Sequence, residues 1–169
     1  MSVEILLLIT AVVIFTYLFF HSAQVLLAPN SQQGLLSSVC IKPFASPQGG
    51  ENCFSVELAK TQAQQERGLM YRTGMDKNKG MLFIFDKEAI YPFWMKNTLI
   101  PLDIIWIDNN YKAVFISQNV QPCKGLICPT IVPLGPAGGH PAKYVLEINA
   151  GIVNEIGLKI GDGLTINIP

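Results

Sequence analysis

The chain has 169 residues, room for one domain and too few for two of ordinary size. Half of them are hydrophobic, 14% are charged, and the formal net charge is zero. From Lys42 onward 12 basic residues meet 11 acidic ones (the 12 Asp and Glu less Glu4), which leaves neither a basic stripe for nucleic acid nor a field for clamping onto anionic lipid.

The apolar excess lies at the N-terminus. Residues 5–20, ILLLITAVVIFTYLFF, carry no charge, and with part of HSAQVLLA the run reaches the about 20 residues that a bilayer-spanning helix needs. A secretory signal would have a basic flank, an apolar core of about 7–15 residues and a small-x-small cleavage site. Here the flank is MSVE, the core is longer and no A-x-A follows, so residues 1–28 read as an uncleaved transmembrane anchor rather than a signal segment. No polar face interrupts the run, which disfavours a helix buried in a core. Neither end carries Lys or Arg to set its orientation. Residues 29–52, rich in Pro, Asn, Ser, Gln and Gly, read as a linker to a globular domain over 53–169.

Within that domain Phe54, Val56 and Leu58 alternate with Ser55 and Glu57 as in a half-buried strand. Thr61 as N-cap, Gln64 completing a capping box and Gly68 as a left-handed stop predict a short helix ending at Arg67. Strand-like runs follow at 81–85, 93–98, 104–107, 112–117, 144–148 and 164–168, with Asn109-Asn110 as a hairpin turn and a second short helix at 153–156. The stretch 120–143 holds five prolines and is too proline-rich for a central strand. Short, closely spaced strands predict a mainly β domain, a sandwich or barrel with one or two short helices.

Four cysteines remain to be placed. Cys123 and Cys128 enclose a short proline-flanked loop, while Cys40 and Cys53 are separated by twelve residues and lack the short spacing of a four-cysteine zinc site. Disulfides in an oxidising compartment are the favoured use, with zinc and free thiols as the alternatives. On that basis the globular part faces outward from the cell membrane.

One stretch is richer in information than the rest. RGLMYR (67–72), GMLFIF (80–85), FWMKNT (93–98) and IPLD (100–103) interleave Met, Trp, Phe and Gly with Arg72, Lys96 and Asp103. VELA (56–59), YVLEINAG (144–151) and the closing Gly161-Asp162 complete the set. In this order the blocks resemble the domain of unknown function 192 family, uncharacterised bacterial and archaeal proteins. The resemblance covers most of the chain from Phe54 on and implies a compact, predominantly antiparallel β-sandwich or jelly-roll-like barrel, often behind an N-terminal signal or anchor. It implies no reaction, because the family has none established. The turn Asn109-Asn110-Tyr111 replaces the family's usual Asp-Gly type, and the loop around His140 matches no family motif, so His140 inherits no role.

Each polar residue of these blocks has a structural and a functional reading. As a strand, FWMKNT would put Trp94, Lys96 and Thr98 on one face, with Phe93, Met95 and Asn97 on the other. Lys96 would then either pack over the sheet and pair with Asp103 or Glu57, or line a pocket as a cation. Asp103 is either a turn cap or an acid/base group. Arg67 and Arg72 either brace a loop or bind an anion. Glu57 and Glu147 sit mid-strand, each facing solvent or walling a pocket. No G-x-S-x-G, HExxH, P-loop or dinucleotide fingerprint appears.

The expectation is a membrane-tethered, extracytoplasmic domain that binds a small polar ligand or envelope component through Glu57, Arg72, Trp94, Lys96, Asn97 and Asp103, with neither cofactor nor metal. One alternative is an envelope-directed hydrolase or lyase with Glu57 and Asp103 as paired carboxylates and Lys96 and Arg72 on an anion. Another is a purely structural module.

Overall fold

The computed structural model describes residues 36–43, 50–136 and 138–169. The expected anchor at 1–28 lies outside them, and no helix among the described residues is long and apolar enough to cross a membrane.

Seven strands form one sheet. In chain order they are β1 (Ser38–Ile41), β2 (Asn52–Ala59), β3 (Lys79–Ala89), β5 (Leu102–Ile107), β6 (Ala113–Val120), β10 (Ala142–Asn149) and β11 (Leu164–Asn167). In space the order is β11-β1-β2-β3-β10-β5-β6. Every neighbouring pair is antiparallel except β2 and β3. Parallel strands need a crossover, and residues 60–78 provide it with helix α1 (Gln62–Arg67). The β5–β6 turn reaches the start of β11, where Leu164 N–H donates to Tyr111 O at 2.8 Å and Lys112 bridges Gly163. The sheet is thereby curled into a half-barrel.

The mainly β composition and the two short helices are as the sequence predicts. In place of the expected sandwich or jelly-roll-like barrel, the architecture is one curled seven-stranded sheet, predominantly antiparallel, with a single parallel pair. The capping signals mark the short helix between β2 and β3, but a six-residue helix is too short to show by its periodicity that it carries a parallel crossover. Ser38–Ile41, inside the stretch read as linker, is a strand of the sheet, tied to β2 by the disulfide Cys40–Cys53.

Both sheet faces are covered. On one, Val39, Ile41, Leu82, Ile105, Leu146 and Ile148 pack with helix α2 (Ile152–Ile156). On the other, Met81, Phe83, Ile104, Trp106 and Val145 pack with Leu69, Met95 and Ile100 from the segments that cross over them. β3 and β10 lie so close that a Cβ on Gly80 would come within 2.7 Å of Glu147 O, which accounts for glycine at the head of GMLFIF. The proline-rich stretch contributes β7 (Thr130–Ile131), paired with β4 (Phe93–Trp94), and the two-residue ladder of β8 (Leu134–Gly135) with β9 (Gly138–Gly139).

FWMKNT is strand only at its first two residues. Asn97 takes φ 58°, a left-handed conformation that asparagine tolerates, and the chain turns there. Trp94 and Lys96 are exposed, as alternation predicts, but Thr98 is buried.

Candidate functional site

The second face carries a cavity of about 260 Å³. Its outer wall is α1 and the turn after it. The capping box of Thr61 and Gln64 fixes where α1 begins. Gly68 ends it with φ 46° and ψ −135°, a positive φ outside the expected left-handed helical basin. A side chain at Gly68 would press on Phe83, with its Cβ 3.2 Å from the ring. Gln65 Nε2 donates to Ile84 O at 2.8 Å and holds α1 against β3. The opposite wall comes from Phe85, Tyr91, Phe93 and Trp94, and Thr98 and Glu147 also face the space.

Glu147 is the unusual member. It sits in β10, in register with Met81 on one side and Ile104 on the other. It is 4% exposed, and its Oε2 has no hydrogen-bond partner. Burial, with nothing near it to stabilise a charge, raises its pKa from an ordinary 4.5 to about 8. At neutral pH it is therefore mostly a neutral carboxylic acid, able to donate one hydrogen bond into the cavity.

The six residues singled out from sequence do not converge on one site. Arg72 and Glu57 form a forked ion pair, Nη1 to Oε1 at 2.5 Å and Nη2 to Oε2 at 2.6 Å. The hydrogen bonds from Arg72 hold the Glu57 carboxyl below its usual range, and Glu57 in turn raises the guanidinium. They line a separate hollow of about 380 Å³ on the other side of the Arg67–Met70 turn. Lys96 pairs with neither expected carboxylate; its Nζ lies 5.3 Å from the Trp94 ring centroid, a cation–π contact at the cavity rim. Asn97 braces the rim, donating from Nδ2 to the Tyr71 hydroxyl and accepting from Tyr71 N–H at its carbonyl, both at 2.8 Å.

Asp103 belongs to the opposite face and is fully buried. Its Oδ1 accepts from Asn119 N–H and its Oδ2 from Val153 N–H, each at 2.8 Å. The second bond caps α2 from outside, because the helix's own N-cap, Gly151, has no side chain to offer. With Glu57 exposed on one face and Asp103 sealed into the other, the two are not a catalytic pair. Of the two readings open for Glu147, pocket wall is the one observed. The clue was available in YVLEIN: an acid inside a strand apolar at both parities has no solvent face to turn to.

The cysteines form Cys40–Cys53 and Cys123–Cys128, and no free thiol remains. Cys40 and Cys53 lie near Glu51 in a cluster of metal-ligand type, but both sulfurs are committed to the disulfide.

A curled β half-barrel with a helix-walled, aromatic cavity over one face defines the class of domain. Residues 45–166 match the model of the domain of unknown function 192 family, an uncharacterized ACR, and the chain belongs to that family. It is similar to the crystal structure of a proposed transcription regulator from Sinorhizobium meliloti 1021, with 34% identity over 77% of this chain and 92% of that one and a TM-score of 0.64. It is likewise similar to a protein of unknown function from Novosphingobium aromaticivorans DSM 12444, with 32% identity over 82% of this chain and 91% of that one and a TM-score of 0.65. No functionally curated protein matches the chain.

Proposed function

We propose that this protein is a single-pass, membrane-anchored extracytoplasmic domain that binds a small polar ligand, free or part of the cell envelope, in the cavity beneath α1. The observation that carries the reading is Glu147, a buried lining residue of an aromatic-walled cavity with one carboxyl oxygen left without a partner. A buried polar atom without a partner costs about 1–3 kcal/mol, a cost that a ligand's hydrogen bond would offset. The two disulfides support an oxidising location, and the apolar run at 5–20 supports a tether. The balanced charge does not favour nucleic acid as a partner.

NMR of the isotopically labelled full chain in detergent, titrated with a library of uncharged fragments, tests the binding site. Shifts should concentrate at the amides of Gly68, Phe93, Thr98 and Glu147. Hits that map elsewhere, or none, would contradict it. For the location, alkylation before reduction on material from the native compartment should leave Cys123 and Cys128 unmodified. Free thiols at both would remove the argument for an outward-facing domain.

A further inference from the structure

Resting on the cavity reading above, we propose that the ligand is an uncharged sugar ring, bound by one oxygen acceptor at Glu147 and by an apolar ring face against the aromatic wall. The formal charges around the cavity set the net charge of the guest. The ionised groups lining it are Glu66 and Arg67, adjacent on α1 and opposite in sign. Apart from Glu147, β3, β4 and β10 add no charged residue to the cavity lining, and the strand neighbours of Glu147 are Met81 and Ile104. Tyr91 titrates above its ordinary range, chiefly because it is desolvated, and stays neutral at physiological pH. Lys96 stays outside, over the Trp94 ring. A cationic or anionic guest would be desolvated with no counter-charge that Glu66 or Arg67 does not cancel.

Shape and polarity narrow the class further. The space is at or below the small end of ligand pockets, about 300–1,000 Å³, and so admits one ring rather than an extended chain. Trp94 is 47% exposed, leaving aromatic surface at the rim for the C–H face of a ring. Gln62 and Thr98 supply polar groups for hydroxyls. A protonated Glu147 needs an acceptor, which an amide carbonyl, a hydroxyl or a ring oxygen provides.

Three sugars that share a ring and differ in charge test the class: N-acetylglucosamine (neutral), glucosamine (cationic) and glucuronate (anionic), titrated by NMR into the full chain in detergent. N-acetylglucosamine should bind selectively, its Kd weakening about 30-fold between about pH 6.5 and about pH 9.5 as the donor proton is lost. Glu147→Gln keeps a donor and should keep binding while losing that pH dependence. Trp94→Ala, at a half-exposed site, should lose binding without unfolding. Preference for glucosamine, or affinity that rises with pH, would overturn the proposal in favour of a carboxylate–cation site. Preference for glucuronate would overturn it in favour of an Arg67 anion site. If no sugar binds at millimolar concentration while uncharged fragments still occupy the cavity, the sugar class is wrong and the site stands. If fragments also fail, the cavity reading itself has failed.

Discussion

Two buried carboxyls sit on neighbouring strands, almost side by side, and have opposite surroundings. Asp103 in β5 pairs across to Ile148 in β10, and the next pair is Ile104 with Glu147. One residue of offset puts Asp103 on the α2 face and Glu147 on the α1 face, because side chains alternate along a strand. Asp103 accepts two backbone N–H groups at 2.8 Å and ties β5 to the end of β6 and to the first turn of α2. Glu147 is nearly as buried, 4% exposed against 0%, yet one of its oxygens has no partner. Burial alone therefore does not tell an acid that serves the fold from one with hydrogen-bonding capacity to spare. Whether the hydrogen-bonding capacity is filled from within the fold does.

Removing the filled acid should have the larger effect. Asp103→Ala leaves two buried N–H groups unpaired and uncaps α2, so urea denaturation should show a loss of about 3–5 kcal/mol. A loss below about 1 kcal/mol would mean that those amides find other partners and that the contrast with Glu147 is overstated.

The orphaned acid should behave in the opposite sense. Its folded pKa of about 8 lies above the unfolded value near 4.5, so the folded state binds more protons between those limits. Its contribution to stability is complete below about pH 4.5 and is lost as pH rises through about 8. Glu147→Gln cannot ionise. It should raise stability at about pH 7 by about 3 kcal/mol and flatten the decline above about pH 5. Equal destabilisation at every pH would instead mark Glu147 as a structural group.

A third carboxylate supplies the small end of the scale. Glu57 and Arg72 form a well-aligned pair, but both are partly exposed, and such pairs contribute about 0–1 kcal/mol. Arg72→Met should cost no more than about 1 kcal/mol. With the pair intact, the Glu57 contribution should fade as pH falls through its lowered pKa, and Arg72→Met should remove most of that dependence. A loss comparable to that of Asp103→Ala would show that the Arg67–Arg72 segment, and not the buried acids, organises this face.

Local signals were legible in the sequence. Thr61, Gln64 and Gly68 marked α1 by capping chemistry, the alternation of residues 54–58 marked β2, and the spacing of Cys123 and Cys128 marked their disulfide. Long-range facts were not. The partners of Asp103 lie 16 and 50 residues away, so no nearby residue distinguishes a cap from an acid/base group. β5 is buried at every position, and such strands read as continuous apolar runs that hide which side an acid faces. In β10 the apolar neighbours at both parities pointed to burial of Glu147 but not to which of the two faces it takes. Asn97 broke the alternation of FWMKNT by turning the chain at positive φ, which moved Thr98 to the interior, away from the expected wall with Lys96.

The central claim is that Glu147 is a neutral carboxylic acid in the folded domain at neutral pH, held ready to donate into the cavity. Following the side-chain carboxyl carbon of Glu147 by NMR, with Glu147→Gln to assign the signal, tests it directly. The account predicts a single titration with a midpoint near 8, well separated from the exposed glutamates. A midpoint in the ordinary carboxylate range, about 4–5, would contradict it: the oxygen would then be solvated or paired, and the cavity would have no unfilled donor to offer a ligand.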